Sequence, residues 1–441
     1  MGKMADHSIL RMKDSLLRHL AVGIACFACA ESRGDVVYSG LKDIPIPNDF
    51  DGVYLNIDNG ATGSTEITGW DINPFFGGTG VANNASFQPA RTGTGNEDPI
   101  LALGTGVKVD GSLLYSTGQG GSDLHLGPGP GQFTSGQEGY LGFKFTTDGS
   151  GGPFFGWMRV VFTANTPGGL IKDWAYETVG NATRTGNILR AAPVSGVSVV
   201  TLSSVAGETT TLGSTLTDPG GGTVTSLQKN GVGTWKVTGD QSYTGDTVVS
   251  SNGGKLEIAT PGGKLSGTRS LTINTAGTLL LSGAGGVNSK LNPTASVTLS
   301  GGTIDLGGMT SSLDQAVGTL TLSANSVLDF GTLSSGNSWR FDASNADWSS
   351  VQLSVYNYSP GTDHLFFGTS SSGLNASQLG RIAFFGDAGA NYLGFARFTG
   401  GVGELSAIPE PTTVMAGFGL LAVAGYREVR RRRDRRHAAS L

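Results

Sequence analysis

With 72 glycines in 441 residues and only 14% charged side chains, this chain lacks the Ala, Glu, Lys and Leu richness of a helical protein. Its formal charge of −5 conceals basic ends: between residues 35 and 426 there are 17 basic against 29 acidic side chains, which excludes a nucleic-acid-binding body. Cys26 and Cys29 are the only cysteines, so removal of the N-terminus would leave no thiol for a disulfide framework or a thiolate metal site.

The chain opens with Lys3, Arg11, Lys13 and Arg18 ahead of an apolar run at 20–30 that ends in Ala28-Cys29-Ala30. The run is too short to span a bilayer. With positive charge before it and a small-x-small close, residues 1–34 read as a secretory signal peptide, which implies a signal peptidase as processing partner. Neither cysteine follows the Leu-small-small sequence of a lipoprotein signal.

Residues 35–190 are richer in aromatics and Asp, with long loops such as Gly127-Pro128-Gly129-Pro130-Gly131. Alternation at 53–57, 107–109, 140–145, 155–162 and 171–177 predicts an antiparallel β-sandwich. Trp70, Trp157, Trp174 and Tyr176 have two readings, core packing or a platform on which sugar rings stack. Asp148-Gly149-Ser150-Gly151-Gly152-Pro153 reads as a hairpin loop or a calcium site. Residues 191–196 read as a linker.

From 197 to 342 short alternating segments occur at 234–238, 247–249, 255–258, 270–273, 278–281, 296–299, 302–306 and 319–322. Strands this short cannot each bury a face in a flat sheet. Stacked as rungs of a parallel β-helix they share one aliphatic core, with glycines turning the corners. One stretch carries Leu227, Lys229, Gly231, Gly233, Thr234, Gly239, then Tyr243-Thr244-Gly245 and Thr247, then Gly254-Lys255-Leu256. It closely resembles the autotransporter-associated β-strand repeat, departing mainly at Trp235 and Val237, where that pattern has Leu. The resemblance implies a right-handed parallel β-helix used as a stalk or passenger, without catalysis.

Segments at 339–342, 353–357, 362–369, 381–384 and 403–405 predict a C-terminal cap over 343–407, because a solenoid exposes its last rung. Residues 375–379 read as a short helical turn. Beyond them Pro409-Glu410-Pro411 precedes a mostly apolar stretch at 412–426 and then Arg427, Arg430, Arg431, Arg432, Arg433, Arg435 and Arg436. As a helix that stretch would span roughly 22 Å against a hydrocarbon core of about 30 Å, a marginal transmembrane anchor. The arginines would hold its end in the cytoplasm and leave the body outside.

This three-part tail, over 408–441, resembles the PEP-CTERM sorting signal of Gram-negative bacteria. The resemblance implies recognition by an exosortase, a membrane-embedded cysteine protease-transpeptidase. It also implies transient residence in the inner membrane and delivery to the cell surface or the exopolysaccharide matrix. The runs at 139–145, 155–157 and 174–177 resemble a module common at the N-terminus of such proteins, from which no activity follows.

Polysaccharide lyases and glycosidases also use β-helices, and they need carboxylates paired across a cleft or clustered around calcium. Asp218, Asp240, Asp246, Glu257, Asp305, Asp314 and Asp329 are scattered through the repeats without a D-x-D pair, and His125 and His364 are the only histidines between the two ends. The expectation is therefore an all-β protein with no catalytic residue, metal or cofactor: an exported surface or matrix protein. The alternatives are a carbohydrate-binding module on a β-helical stalk and, behind it, a lyase or glycosidase.

Overall fold

The structure is a computed structural model and describes residues 35–164, 168–178, 182–260 and 262–408. Over the described residues the chain is nearly all β, with a solenoid of about seven turns. The only helix among the described residues is α1, Ala376–Leu379, at the predicted helical turn. Asn375 caps it: its side chain accepts the Gln378 amide, and the Gln378 side chain accepts the Asn375 amide in return.

Two long parallel ladders form the main faces of the solenoid. One joins Val197–Ser203, Val224–Asn230, Asp246–Val249, Ser270–Asn274, Ser296–Ser300 and Leu320–Ala324. The other runs from Thr209–Leu212 through Thr234–Val237, Lys255–Ile258, Thr278–Gly283, Thr303–Met309 and Ser326–Asp329 to Leu353–Tyr356 and Ile382–Phe385. A third, shorter ladder joins Gly286–Val287, Leu313–Val317, Ser338–Phe341 and His364–Phe367.

Alternation within each strand sends every second side chain inward, and parallel register stacks those side chains from turn to turn. Trp235, Leu256, Leu279, Ile304, Leu328, Val355 and Phe384 occupy matched positions on successive rungs, all 0% exposed. Burial of each such apolar side chain contributes about 1.5–3 kcal/mol, so a file of them can hold together strands of only four to seven residues. Trp235 and Val237 are both fully buried in this interior.

The corners require special residues. Gly231 has φ +71, and a Cβ there would strike the Ser204 carbonyl on the preceding turn. The neighbouring Lys229 points inward, and its ammonium donates to the carbonyls of Asn230 at 2.7 Å, Gly231 at 2.8 Å and Gly253 at 2.7 Å. One buried cation thus ties together the corners of two successive turns.

The N-terminal module contains an eight-stranded sheet, whose main path is Val36–Tyr38, Gly169–Glu177, Phe154–Val161, Glu138–Phe145, Phe87–Arg91 and Leu114–Tyr115, and a five-stranded sheet built around Ile72–Phe75. Every pairing within them is antiparallel. Leu141, Phe143, Met158 and Ile171 share a core with Leu55, Ile72 and Val81. Val36, Ala90, Trp157 and Ala175 instead join the solenoid's own core.

Two expected boundaries shift. Residues 191–196 are not an independent linker, because Ile188–Arg190 pairs antiparallel with Val197–Ser203 and the segment between them is a hairpin connection. The cap does not begin at 343 either. Parallel pairing continues through Ile382–Phe385, and closure comes from the antiparallel hairpin Tyr392–Thr399 with Glu404–Ile408. The alternation that marks a rung in sequence also marks an antiparallel strand, so it does not reveal where the ladder ends.

Candidate functional site

A group of polar and aromatic side chains lies on loops of the N-terminal module. Residues 56–60, 69–71 and the hairpin loop at 147–152 meet there. The Asn56 side-chain amide donates to Asp148 Oδ2 at 2.8 Å, and the Asp148 backbone amide donates to Asp58 Oδ2 at 2.6 Å. Asp71 lies beneath, 2% exposed, accepting the Ile57 amide at 2.8 Å and the Ser86 hydroxyl at 3.3 Å.

Burial pushes the Asp71 carboxyl up to about 7, and repulsion from Asp58 and Asp148 adds to the shift. Beside this group Tyr54 and Trp70 meet edge to face, with centroids 5.2 Å apart, and the Trp70 indole N–H donates to Glu66 at 3.0 Å. The arrangement offers half-exposed rings next to carboxylate acceptors, the two contacts that a sugar ring and its hydroxyls take.

The four candidate stacking residues are not brought together. Trp157 is fully buried on the solenoid side of the large sheet, with its indole N–H 3.0 Å from Asn187 Oδ1. Trp174 and Tyr176 are buried on the opposite side, where the Trp174 indole N–H donates to the Ile57 carbonyl at 3.2 Å. Trp70 alone keeps part of its ring at the surface. For the other three, burial decides for core packing.

The 148–153 loop joins two paired strands, as a hairpin does. Among the described residues no three His, Cys, Asp or Glu side chains form a metal-ligand set. His125 is fully buried with Nε2 2.6 Å from the Gly78 carbonyl, and burial lowers its pKa, so the neutral ring donates there. His364 is 2.6 Å from Glu404 on the closing hairpin and stacks on Phe366.

One pair of carboxylates was missed in the sequence. Asp305 and Asp329 sit in register on adjacent rungs of the second ladder and point outward. Each side chain accepts the amide of the glycine two residues on, Gly307 at 2.7 Å and Gly331 at 2.8 Å, and Asp329 also accepts the Asn357 side chain at 2.7 Å. The matching phrases Ile304-Asp305-Leu306-Gly307 and Leu328-Asp329-Phe330-Gly331, one rung apart, were the available signal. These bonds make the carboxylates fasteners of the turn.

The signal peptide at 1–34, the motif Pro409-Glu410-Pro411, the apolar stretch and the seven arginines lie outside the described residues. No helix among the described residues is long and apolar enough to cross a membrane. By its fold the protein is a β-solenoid that begins in an antiparallel module. No family model, curated protein or solved structure matches the chain.

Proposed function

We infer that this chain is a non-enzymatic exported protein of the cell surface or extracellular matrix, in which a β-helical stalk holds up an N-terminal β-sandwich. The stalk is taken as right-handed, in keeping with the repeat that residues 227–258 resemble. The signal peptide starts export, and the PEP-CTERM-like tail holds the precursor in the inner membrane until an exosortase acts on it. The observation that carries this reading is the way the chain leaves the fold: Glu404–Ile408 closes the solenoid, and Ile408 directly precedes Pro409-Glu410-Pro411. In the sequence the motif therefore follows directly on the last strand of the solenoid's closing hairpin.

Cell fractionation with Pro409, Glu410 and Pro411 all replaced by alanine tests the reading. Retention of the unprocessed chain in the inner membrane is expected, whereas unchanged processing and location would overturn it. A second reading, carbohydrate binding by the N-terminal module, is supported by the half-exposed Tyr54 and Trp70 rings, with the Glu66 carboxylate at the Trp70 indole. Glycan-array binding that disappears in Trp70→Ala would favour it. Release of reducing ends from polysaccharide by the purified protein would defeat both.

A further inference from the structure

The closing end of the solenoid carries an aromatic stripe on its outer surface. Tyr356 and Phe385 meet with centroids 5.4 Å apart, Phe385 and Tyr392 at 5.5 Å, and Tyr392 and Phe395 at 5.7 Å. Phe395 lies opposite Ile408 in the final antiparallel pair, and Tyr392, Phe395 and Ile408 are 37%, 41% and 43% exposed. Arg397, two residues along the same strand from Phe395, is also exposed. These side chains lie outside the core, to which the same hairpin contributes the buried Ala396 and Leu405.

The partner of the stripe is identified by the residues next to it in the chain. Only residues 409–411 separate Ile408 from the apolar stretch at 412–426. Four residue steps reach at most about 14 Å when fully extended. If that stretch enters a bilayer, Ile408 cannot stand further than this from the point of entry, and Phe395 is its cross-strand neighbour. The headgroup layer on each side of the hydrocarbon is roughly 6 Å thick, so the reach confines the end of the solenoid to the membrane surface. Tyrosine rings favour that depth, and an exposed arginine favours anionic lipid.

We propose that Tyr356, Phe385, Tyr392, Phe395 and Ile408 form a lipid-facing rim that seats the end of the solenoid on the bilayer interface while the tail is inserted. The rim rests on the reading of the tail as a membrane tether. It adds that the body is held in a fixed pose, base down, with the N-terminal module directed away from the membrane. This also accounts for the position of the stripe, which ends at Phe395 beside Ile408, the last residue before the tail.

The test uses the full-length chain with Phe395→Trp, incorporated into phosphatidylethanolamine–phosphatidylglycerol vesicles that contain lipids brominated at shallow or deep acyl positions. The expected result is co-flotation with the vesicles and loss of the added tryptophan emission, stronger with shallow than with deep bromines. Phe50→Trp serves as control, because Phe50 is 75% exposed beside Phe75 and Phe76 in the N-terminal module. Failure to float overturns both the tether and the rim. Flotation without quenching at 395, or with equal quenching at 50, overturns the rim and leaves the tether standing.

Discussion

The Arg159 guanidinium holds Asp173 through two bonds, Nε to Oδ1 at 2.9 Å and Nη2 to Oδ2 at 2.6 Å, and both residues are buried. Glu138 approaches the same guanidinium at 3.2 Å from a more exposed position. Tyr38 completes the group by donating to Asp173 at 2.8 Å and accepting the Arg190 amide at 2.7 Å. Burial pushes the Tyr38 hydroxyl well above its usual range, so it stays a donor. Because Ile188–Arg190 pairs with the first rung, this group fastens the N-terminal module to the solenoid.

Removing one partner of a buried ion pair leaves the other charged and without its counter-ion. Arg159→Met should therefore cost about 3–5 kcal/mol, whereas Arg159→Met with Asp173→Leu should recover most of the loss. Urea unfolding of both variants, followed by near-ultraviolet circular dichroism, checks this. A double variant no more stable than the single one would mean that the pair's geometry, and not the stranded charge, carries the stability.

Asp71 makes the N-terminal module sensitive to pH. Its folded pKa, raised by burial to about 7, lies above the value near 3.9 of an unfolded aspartate. Between those values the folded state holds a proton that the unfolded state has released. This contribution to stability is complete below about pH 4 and is lost as pH rises towards 7, by roughly 1.4 kcal/mol per pH unit. Asp71→Asn keeps an acceptor for the Ile57 amide and removes the titration. Its thermal midpoint should exceed that of the parent at pH 8 and approach it at pH 4, while parallel curves would refute the assignment.

The inward files of the solenoid were legible because one rule fixes them: in a two-residue period with parallel stacking, Leu256, Leu279 and Ile304 have no other way to be buried together. The N-terminal aromatics were not legible to the same degree. A tryptophan in an alternating strand satisfies both a core and a binding face, and only the docking of the large sheet between two cores decides for burial at Trp157 and Trp174. Asp305 and Asp329 read as scattered in the sequence because register, not sequence distance, makes them neighbours. Residues 191–196 looked like a linker because proline and glycine mark hairpin connections and linkers alike.

The corner glycines can be separated into those that need only a left-handed backbone and those that also need space. Gly220, with φ +87, has open space where a Cβ would be, whereas Gly231 has φ +71 and the Ser204 carbonyl in that position. Gly220→Ala should cost about 1 kcal/mol from backbone strain alone. Gly231→Ala should cost about 3 kcal/mol, because overpacking against the preceding turn is added to that strain. Denaturant midpoints measured side by side give the difference, and equal losses would show that the corner can shift to admit a methyl group.

Lys229 provides a test of the solenoid at alkaline pH. Its ammonium is enclosed by three carbonyls with no carboxylate beside it, and burial lowers its pKa to about 8. Lys229→Met keeps the length of the side chain but leaves those carbonyls without their donor, an expected loss of about 2–4 kcal/mol near neutral pH. Between about pH 8 and the ordinary lysine value near 10.4, the unfolded chain holds a proton that the folded chain has given up. The contribution of Lys229 is constant below that window and rises with pH across it, so the stability gap between parent and Lys229→Met should widen from pH 8 to pH 10. Urea unfolding of both proteins at pH 7, 8, 9 and 10 measures the gap directly. A gap that narrows over this range would mean that folding raises the pKa of Lys229, with the three carbonyl bonds outweighing desolvation.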